Sequence, residues 1–335
     1  MRLTHVLALA VALGSTAVAP DARAEVNEVL LGQQFGAVYL PAMVMESQKL
    51  VEKHLEGAGM GQVKVTWAKL GTAAAVNDAT ISGSLHFSCQ GVPSTAIIWD
   101  KTKSTIGVKG VGSIANHNMW LNTRNKDITS IKDFTEKDRI AVPGLKVATQ
   151  ALALHYLAAK TWGQENYTKL DHITVSLPHV EAMTAVLNPI SEIQSHFATT
   201  PFHEIERKAG LKTVATFYDI MGGPTTGLNF VSSEKFRNEN PKVYGAVVKA
   251  FIEAQAWINA DKPRAAAHYL ELSKEKRLTA EDLVAGMNSK DMDYTMVPSN
   301  VGQILDFMHK VGLIKTKAAS WKDLYLPEAH ELAGS

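Results

Sequence analysis

The chain is 335 residues long, 46% apolar and 20% charged, with 34 Lys and Arg against 33 Asp and Glu and a single cysteine. That length leaves room for two ordinary domains, and the near-neutral balance offers no basic stripe for nucleic acid. One cysteine excludes a disulfide framework and any multi-thiolate zinc or iron–sulfur site within the chain.

The first residues read as an export signal. Arg2 precedes an apolar run over residues 6–19, interrupted by Gly14, Ser15 and Thr16. Ala22-Arg23-Ala24 then places small residues at both key positions of an A-x-A cleavage site. The run is shorter than the ~20 residues of a membrane anchor, and no cysteine stands at the junction to take a lipid. Cleavage is expected after Ala24, leaving 32 basic and 32 acidic residues. No later segment is apolar for long enough to cross a bilayer, so a soluble, periplasmic protein is expected.

In chain order, residues 26–32 suit a strand. Pro41 opens a helical pattern carried by Val44, Gln48, Val51 and Leu55 and ended by Gly57 and Gly59. Residues 63–67 read as a strand, 72–81 as a helix of small residues, and 85–88 and 96–99 as short strands. The alternation restarts with strands at 118–122 and 139–142 and a long helix over 147–162 closed by Gly163. Strands at 173–175, 192–197 and 213–217, a helix near 180–188, and a strand at 227–231 follow, and then helices only. Strands alternating with helices predict an α/β chain of two halves, each a mainly parallel sheet, with a helical tail.

Tests for chemistry yield little. Eleven histidines remain after cleavage, and His196, His203, Glu204 and Glu206 are close in sequence, yet no H-E-x-x-H occurs. A turn histidine there reads as a polar contact, and no metal or other cofactor is expected. Cys89, in Ser88-Cys89-Gln90-Gly91, fits a buried or pocket-wall residue better than a nucleophile.

Binding elements are more informative. Neither G-x-G-x-x-G nor a P-loop occurs. Pro143-Gly144-Leu145-Lys146 joins a strand to the long helix, so Lys146, the N–H groups from Val147 onward and the Thr149 hydroxyl can favour an anion. The same segment also fits an ordinary strand-to-helix junction. Other polar and aromatic residues fall at strand ends, where open α/β sheets bind ligands. These are Gln34, Phe35 and Tyr39; His86, Gln90 and Gly91; Asn118 and Trp120; and Thr199, Thr200 and Pro201.

Several segments carry a family resemblance. They are Asp78 through Phe87, Ile131-Lys132-Asp133-Phe134 through Gly144, Glu192 through Phe202, Val231 through Phe236 with Asn240-Pro241, and Trp321 through Tyr325. On these the chain, from about Val26 to Leu326, resembles the periplasmic solute-binding proteins of ABC importers in the nitrate, sulfonate, taurine and bicarbonate group. The resemblance implies a type II periplasmic binding fold whose lobes are joined by crossovers near residues 112–119 and 222–230. Lobe I would take 25–114 plus 228–335, and lobe II 115–227. It further implies a monomer that captures a small solute by lobe closure and delivers it to an inner-membrane permease with its ATPase, without catalysis. His86 stands where that family commonly has Asp, and no arginine is among the expected cleft residues. A sulfonate or nitrate would then depend on Lys146, His86, hydroxyls and backbone N–H groups, and a neutral or heteroaromatic solute such as a pyrimidine stays open. So do a binding protein that feeds a sensor and an enzyme of the thiamine-pyrimidine type. Those enzymes are intracellular and carry a cysteine-rich motif, whereas this chain has an expected export signal and one cysteine.

Overall fold

The computed structural model describes residues 24–288 and 290–335. The expected export signal lies outside them up to Arg23. Eleven strands form two sheets. The first takes β1 (Glu28–Gln33), β2 (Lys64–Lys69), β3 (Phe87–Gly91), β4 (Val108–His117), β10 (Thr226–Ser233) and β11 (Met292–Asp293), in the order β11-β4-β10-β3-β1-β2. The second takes β5 (Trp120–Thr123), β6 (Ile140–Val142), β7 (Thr174–Ser176), β8 (Ser195–Ala198) and β9 (Lys212–Thr216), in the order β7-β6-β8-β5-β9. Both sheets are mixed. In the first, β1 runs parallel to β2 and β3, while β10 lies antiparallel between β3 and β4. In the second, β6 runs parallel to β7 and β8, and β5 lies antiparallel between β8 and β9. The chain leaves the first sheet after His117, enters the second at Trp120, and returns between Met221 and Thr226 through Gly222 and Gly223.

Helices cover both sheets, the α/β arrangement expected from the alternating pattern. Helix Pro241–Ala260 opens with a proline that its first turn tolerates and buries nine side chains in the core beside the first sheet, packing also on helices Leu40–Ser47 and Leu50–Gly57. Among them Phe251 stacks on Phe230 at 4.4 Å; truncating such a ring to Ala costs about 3–5 kcal/mol. No helix among the described residues is long and apolar enough to cross a membrane.

Four expectations need correction. Residues 96–99 are not a strand but the middle of helix Val92–Thr102. A short apolar run cannot separate a buried helix from a buried strand, and Pro93 at the first turn was the discriminating signal. Residues 108–117, of which 112–117 were taken as crossover, form the ten-residue strand β4. Its small residues hide the strand pattern because other side chains occupy their places. A Cβ on Gly110 would stand 2.6 Å from the Tyr325 ring, and one on Gly112 2.5 Å from Met296 Cε. The single helix after Pro41 is two, Leu40–Ser47 and Leu50–Gly57, broken at Lys49 with φ 52°. Finally, helix Val301–Lys310, expected in the first lobe, also packs on the second. Phe307 contacts Tyr156 at 4.8 Å, and Gln303 Nε2 donates to the Tyr156 hydroxyl at 2.6 Å.

Candidate functional site

A small pocket of about 30 Å³, room for a water molecule or two, lies between the two sheets. The first sheet contributes Gln34 and Tyr39 beyond the end of β1, Gly91 at the end of β3, His117 at the end of β4, and Gly227 in β10. The second contributes Pro143 beyond β6, Ala148, Thr149 and Gln150 at the start of helix Thr149–Trp162, His179 at the start of helix His179–Leu187, and Thr199 beyond β8. Most of these positions follow the carboxyl ends of strands, where main-chain N–H groups and loop side chains converge. Three helix N-termini meet there, because Gly91 is the N-cap of Val92–Thr102 and Thr149 and His179 open their own helices. Their dipoles place partial positive charge on the cavity. Neither a carboxylate nor a Lys or Arg lines it.

Contacts across the boundary hold the halves together. Thr149 Oγ1 donates to the Gly227 carbonyl at 3.0 Å, Ser94 Oγ to the Val147 carbonyl at 3.0 Å, and the Ala37 N–H to the Thr200 carbonyl at 3.1 Å. Two buried polar atoms on lining residues, Thr199 Oγ1 and His117 Nδ1, have no hydrogen-bond partner among the described residues. Burial pushes the His117 imidazole down to about 4. His179 is driven well below the ordinary histidine value by burial, then by His196 and His117.

Behind His179 runs a chain of side chains. His179 Nε2 lies 3.2 Å from Gln150 Nε2, and its Nδ1 shares a 2.7 Å hydrogen bond with His196 Nε2. His196 Nδ1 meets Glu206 Oε1 at 2.5 Å, and both residues are fully buried. Asn122 Nδ2 donates to Glu206 Oε2 at 2.8 Å. The Phe202 ring stacks on His179 at 5.2 Å.

Of the residues expected at the site, Gln34, Tyr39, Gly91, Thr149 and Thr199 line the cavity. Phe35 and Pro201 instead line a neighbouring pocket of about 330 Å³ that shares Gln34, together with Val180, Phe202, Leu272 and Arg277. Thr200 sits between them, its hydroxyl donating to Glu204 at 2.9 Å. The others point elsewhere. Asn118 is engaged in the crossover, accepting from the Met119 and Tyr218 N–H groups and donating to Asp291 at 2.7 Å. Gln90 turns to the opposite face of β3 and donates to Thr80 and Ser88. His86 precedes β3, at the end of the strand away from Gly91, where it stacks on Phe236 at 4.5 Å. Lys146 is exposed with φ 63°, and Val147 contributes its carbonyl to Ser94. Trp120 stacks on His203 at 4.0 Å.

Sequence reasoning missed His117, Gln150, His179 and Gly227. Pro178-His179 directly after a strand was a usable signal, since a helix starting there turns its first residue toward the carboxyl ends of the strands. Cys89 is 1% exposed, and burial raises its thiol far above the ordinary range. Among the described residues no group of three or more His, Cys, Asp or Glu side chains could hold a metal ion.

A comparison with solved structures finds the same fold in proteins of very different sequence. The alkanesulfonate-binding protein SsuA from Xanthomonas axonopodis pv. citri, bound to MOPS, superposes with a TM-score of 0.68 at 13% identity, over 90% of this chain and 99% of that one. The periplasmic nitrate-binding protein NrtA from Synechocystis PCC 6803 gives 0.68 at 15% identity, over 91% and 87%. The ligand-binding component of an ABC-type import system from Staphylococcus aureus gives 0.66 at 15% identity, over 92% and 99%. The chain has the periplasmic-binding-protein fold. No family model and no curated sequence matches it.

Proposed function

We propose that this chain is an extracytoplasmic solute-binding protein that closes its two lobes around a small anion, of the sulfonate or nitrate kind, and delivers it to a membrane permease with its ATPase. The observation that carries this reading is the convergence of three helix N-termini on a small pocket that no carboxylate lines. The backbone there supplies positive potential, and the Thr199 hydroxyl is a free donor. The larger pocket beyond Gln34, with Phe35 and Phe202, gives an organic tail somewhere to lie. Closure follows from contacts on both sides, since a ligand touching both lobes favours the state that brings them together. On this reading the chain acts as a monomer that binds and releases its solute unchanged, and the buried Cys89 thiol takes no part. The lobes are the two sheets with their helices, and the hinge segments are residues 118–119 and 222–225.

The missing fixed cation favours a second reading, a neutral heteroaromatic solute such as a pyrimidine held against Phe35 and Phe202. A thermal-shift screen of nitrate, alkanesulfonates, carboxylates and pyrimidines separates the two. A solute at about 100 times its Kd stabilises the native state by about 2.7 kcal/mol. Stabilisation by the oxyanions supports the first reading and by pyrimidines the second. No shift with any of them overturns both.

A further inference from the structure

The room between the two halves is shared unevenly. The small pocket at the helix N-termini holds about 30 Å³, whereas the one beyond Gln34 holds about 330 Å³, within the ~300–1,000 Å³ range of small-molecule sites. The two are neighbours. Gln34 lines both, and the Phe202 ring of the larger stacks at 5.2 Å on His179 of the smaller. The larger pocket has an apolar wall drawn from both halves. The first supplies Phe35 beyond β1, Met43 on helix Leu40–Ser47, and Tyr269 and Leu272 on helix Lys262–Ser273; the second supplies Val180 and Phe202. Three of these stand open to water, Phe35 and Val180 at 45% and Leu272 at 38%. Among the described residues only seven large apolar side chains are so exposed, and three of them share this one pocket. Apolar groups gathered in a concavity mark a place that something apolar covers. Of the charged residues lining it, Lys69, Lys274 and Arg277 outnumber Glu275, so an anion is drawn toward it.

We infer that the solute is an organic acid with a ring-sized apolar body, which fills this larger pocket while its acid group faces the helix N-termini, and that Phe35 selects it over smaller anions. This rests on the solute-binding reading above and names the solute class of that site. A bare oxyanion such as nitrate leaves Phe35, Val180 and Leu272 as exposed as it finds them. An apolar body removes their surface from water, and the gain grows with the area covered. Because the wall comes from both halves, the same burial favours their closure. Phe35 is held in place by that meeting. Its loop is fastened across the boundary, where the Ala37 N–H donates to the Thr200 carbonyl at 3.1 Å. The shared Gln34 assigns the pocket to the solute, since it joins the apolar wall to the only part of the cleft where three helix N-termini meet. An apolar side chain of the permease as the occupant would instead leave solute affinity indifferent to the body.

The test is calorimetric titration of the full mature chain with two pairs of anions, methanesulfonate against benzenesulfonate and acetate against benzoate. Each pair shares a head group and differs in body. In the wild type the ring should tighten binding by about tenfold or more in at least one pair. Phe35 is nearly half exposed, so Phe35→Ala should fold normally, and it should lower the ring-to-methyl affinity ratio by about fivefold or more. Leu272→Ala, also on an exposed position, should lower the same ratio. Equal affinity within both pairs, or a ratio that Phe35→Ala leaves unchanged, overturns the inference and leaves the solute-binding reading intact. Binding of a neutral pyrimidine alone, or of nothing, overturns both the inference and the anion reading beneath it.

Discussion

Thr149 donates its hydroxyl to the Gly227 carbonyl at 3.0 Å, and this bond ties the start of a second-lobe helix to a first-lobe strand. Thr149 is buried, so the hydrogen bond is made at the expense of water on both groups. On the proposed closure of the two lobes, it forms only when they are together. Thr149→Val keeps the shape and removes the donor, leaving the carbonyl unpaired in the closed state. The expected effect is about 1 kcal/mol against closure, which weakens solute affinity about fivefold. Titration with whichever solute the thermal screen returns measures it, and unchanged affinity would detach this contact from closure.

His117 makes stability depend on pH. Its imidazole lies at about 4 in the fold against 6.5 as its ordinary value, because burial disfavours the charged ring. Between those values the unfolded chain binds a proton that the folded chain does not. Stability is therefore highest above pH 6.5 and falls as pH drops toward 4, by about 3 kcal/mol from this residue when fully expressed. His179 is lowered for the same first reason and acts in the same direction. Urea unfolding at neutral pH and near pH 4.5, wild type against His117→Gln, isolates the contribution. The variant should lose less stability on acidification.

Cys89 lies in β3 at 1% exposure, facing the core with Phe87. Cys89→Ser places a hydroxyl where a thiol had little need of a partner and should cost about 1–3 kcal/mol. Solute affinity should be unaltered, since the thiol does not line the cavity. In the native protein the thiol should react with a thiol reagent only as fast as the chain opens. Rapid labelling would revive the nucleophile reading.

How much of this was legible before the structure follows from what each signal reports. Strands 28–33, 64–69 and 140–142 and helix Thr149–Trp162 were visible because apolar residues recur at the element's own period. Strand β4 was not, because Gly110 and Gly112 make room for Tyr325 and Met296, partners more than 180 residues away. The site was half legible for a related reason. Strand ends located Gln34, Tyr39, Gly91, Thr149 and Thr199. The side of a strand on which Gln90 falls, or the end at which His86 sits, depends on register, and one residue of slip reverses the face. That His179 and His196 meet was legible only once β7 and β8 were placed on either side of β6.

Gly91 tests closure from the steric side. It ends β3 and caps helix Val92–Thr102 with φ −58°, a value any residue can adopt, so backbone freedom does not require glycine here. Space does. A Cβ at this position would stand 2.6 Å from Thr149 Oγ1 and 3.5 Å from the Thr149 nitrogen, both on the other lobe. Within the first lobe the nearest neighbour is Pro93 Cδ at 3.7 Å, ordinary van der Waals contact. The obstruction therefore exists only between the lobes. Gly91→Ala should leave thermal stability without solute within a degree or two of wild type, the usual consequence of a change costing under about 0.5 kcal/mol. Affinity should fall at least tenfold, because the methyl opposes closure and displaces the Thr149 hydroxyl from Gly227. Small-angle scattering with saturating solute should find the variant more open than wild type. A variant that binds and closes as wild type would show that the lobes can meet without Gly91 and Thr149 in contact.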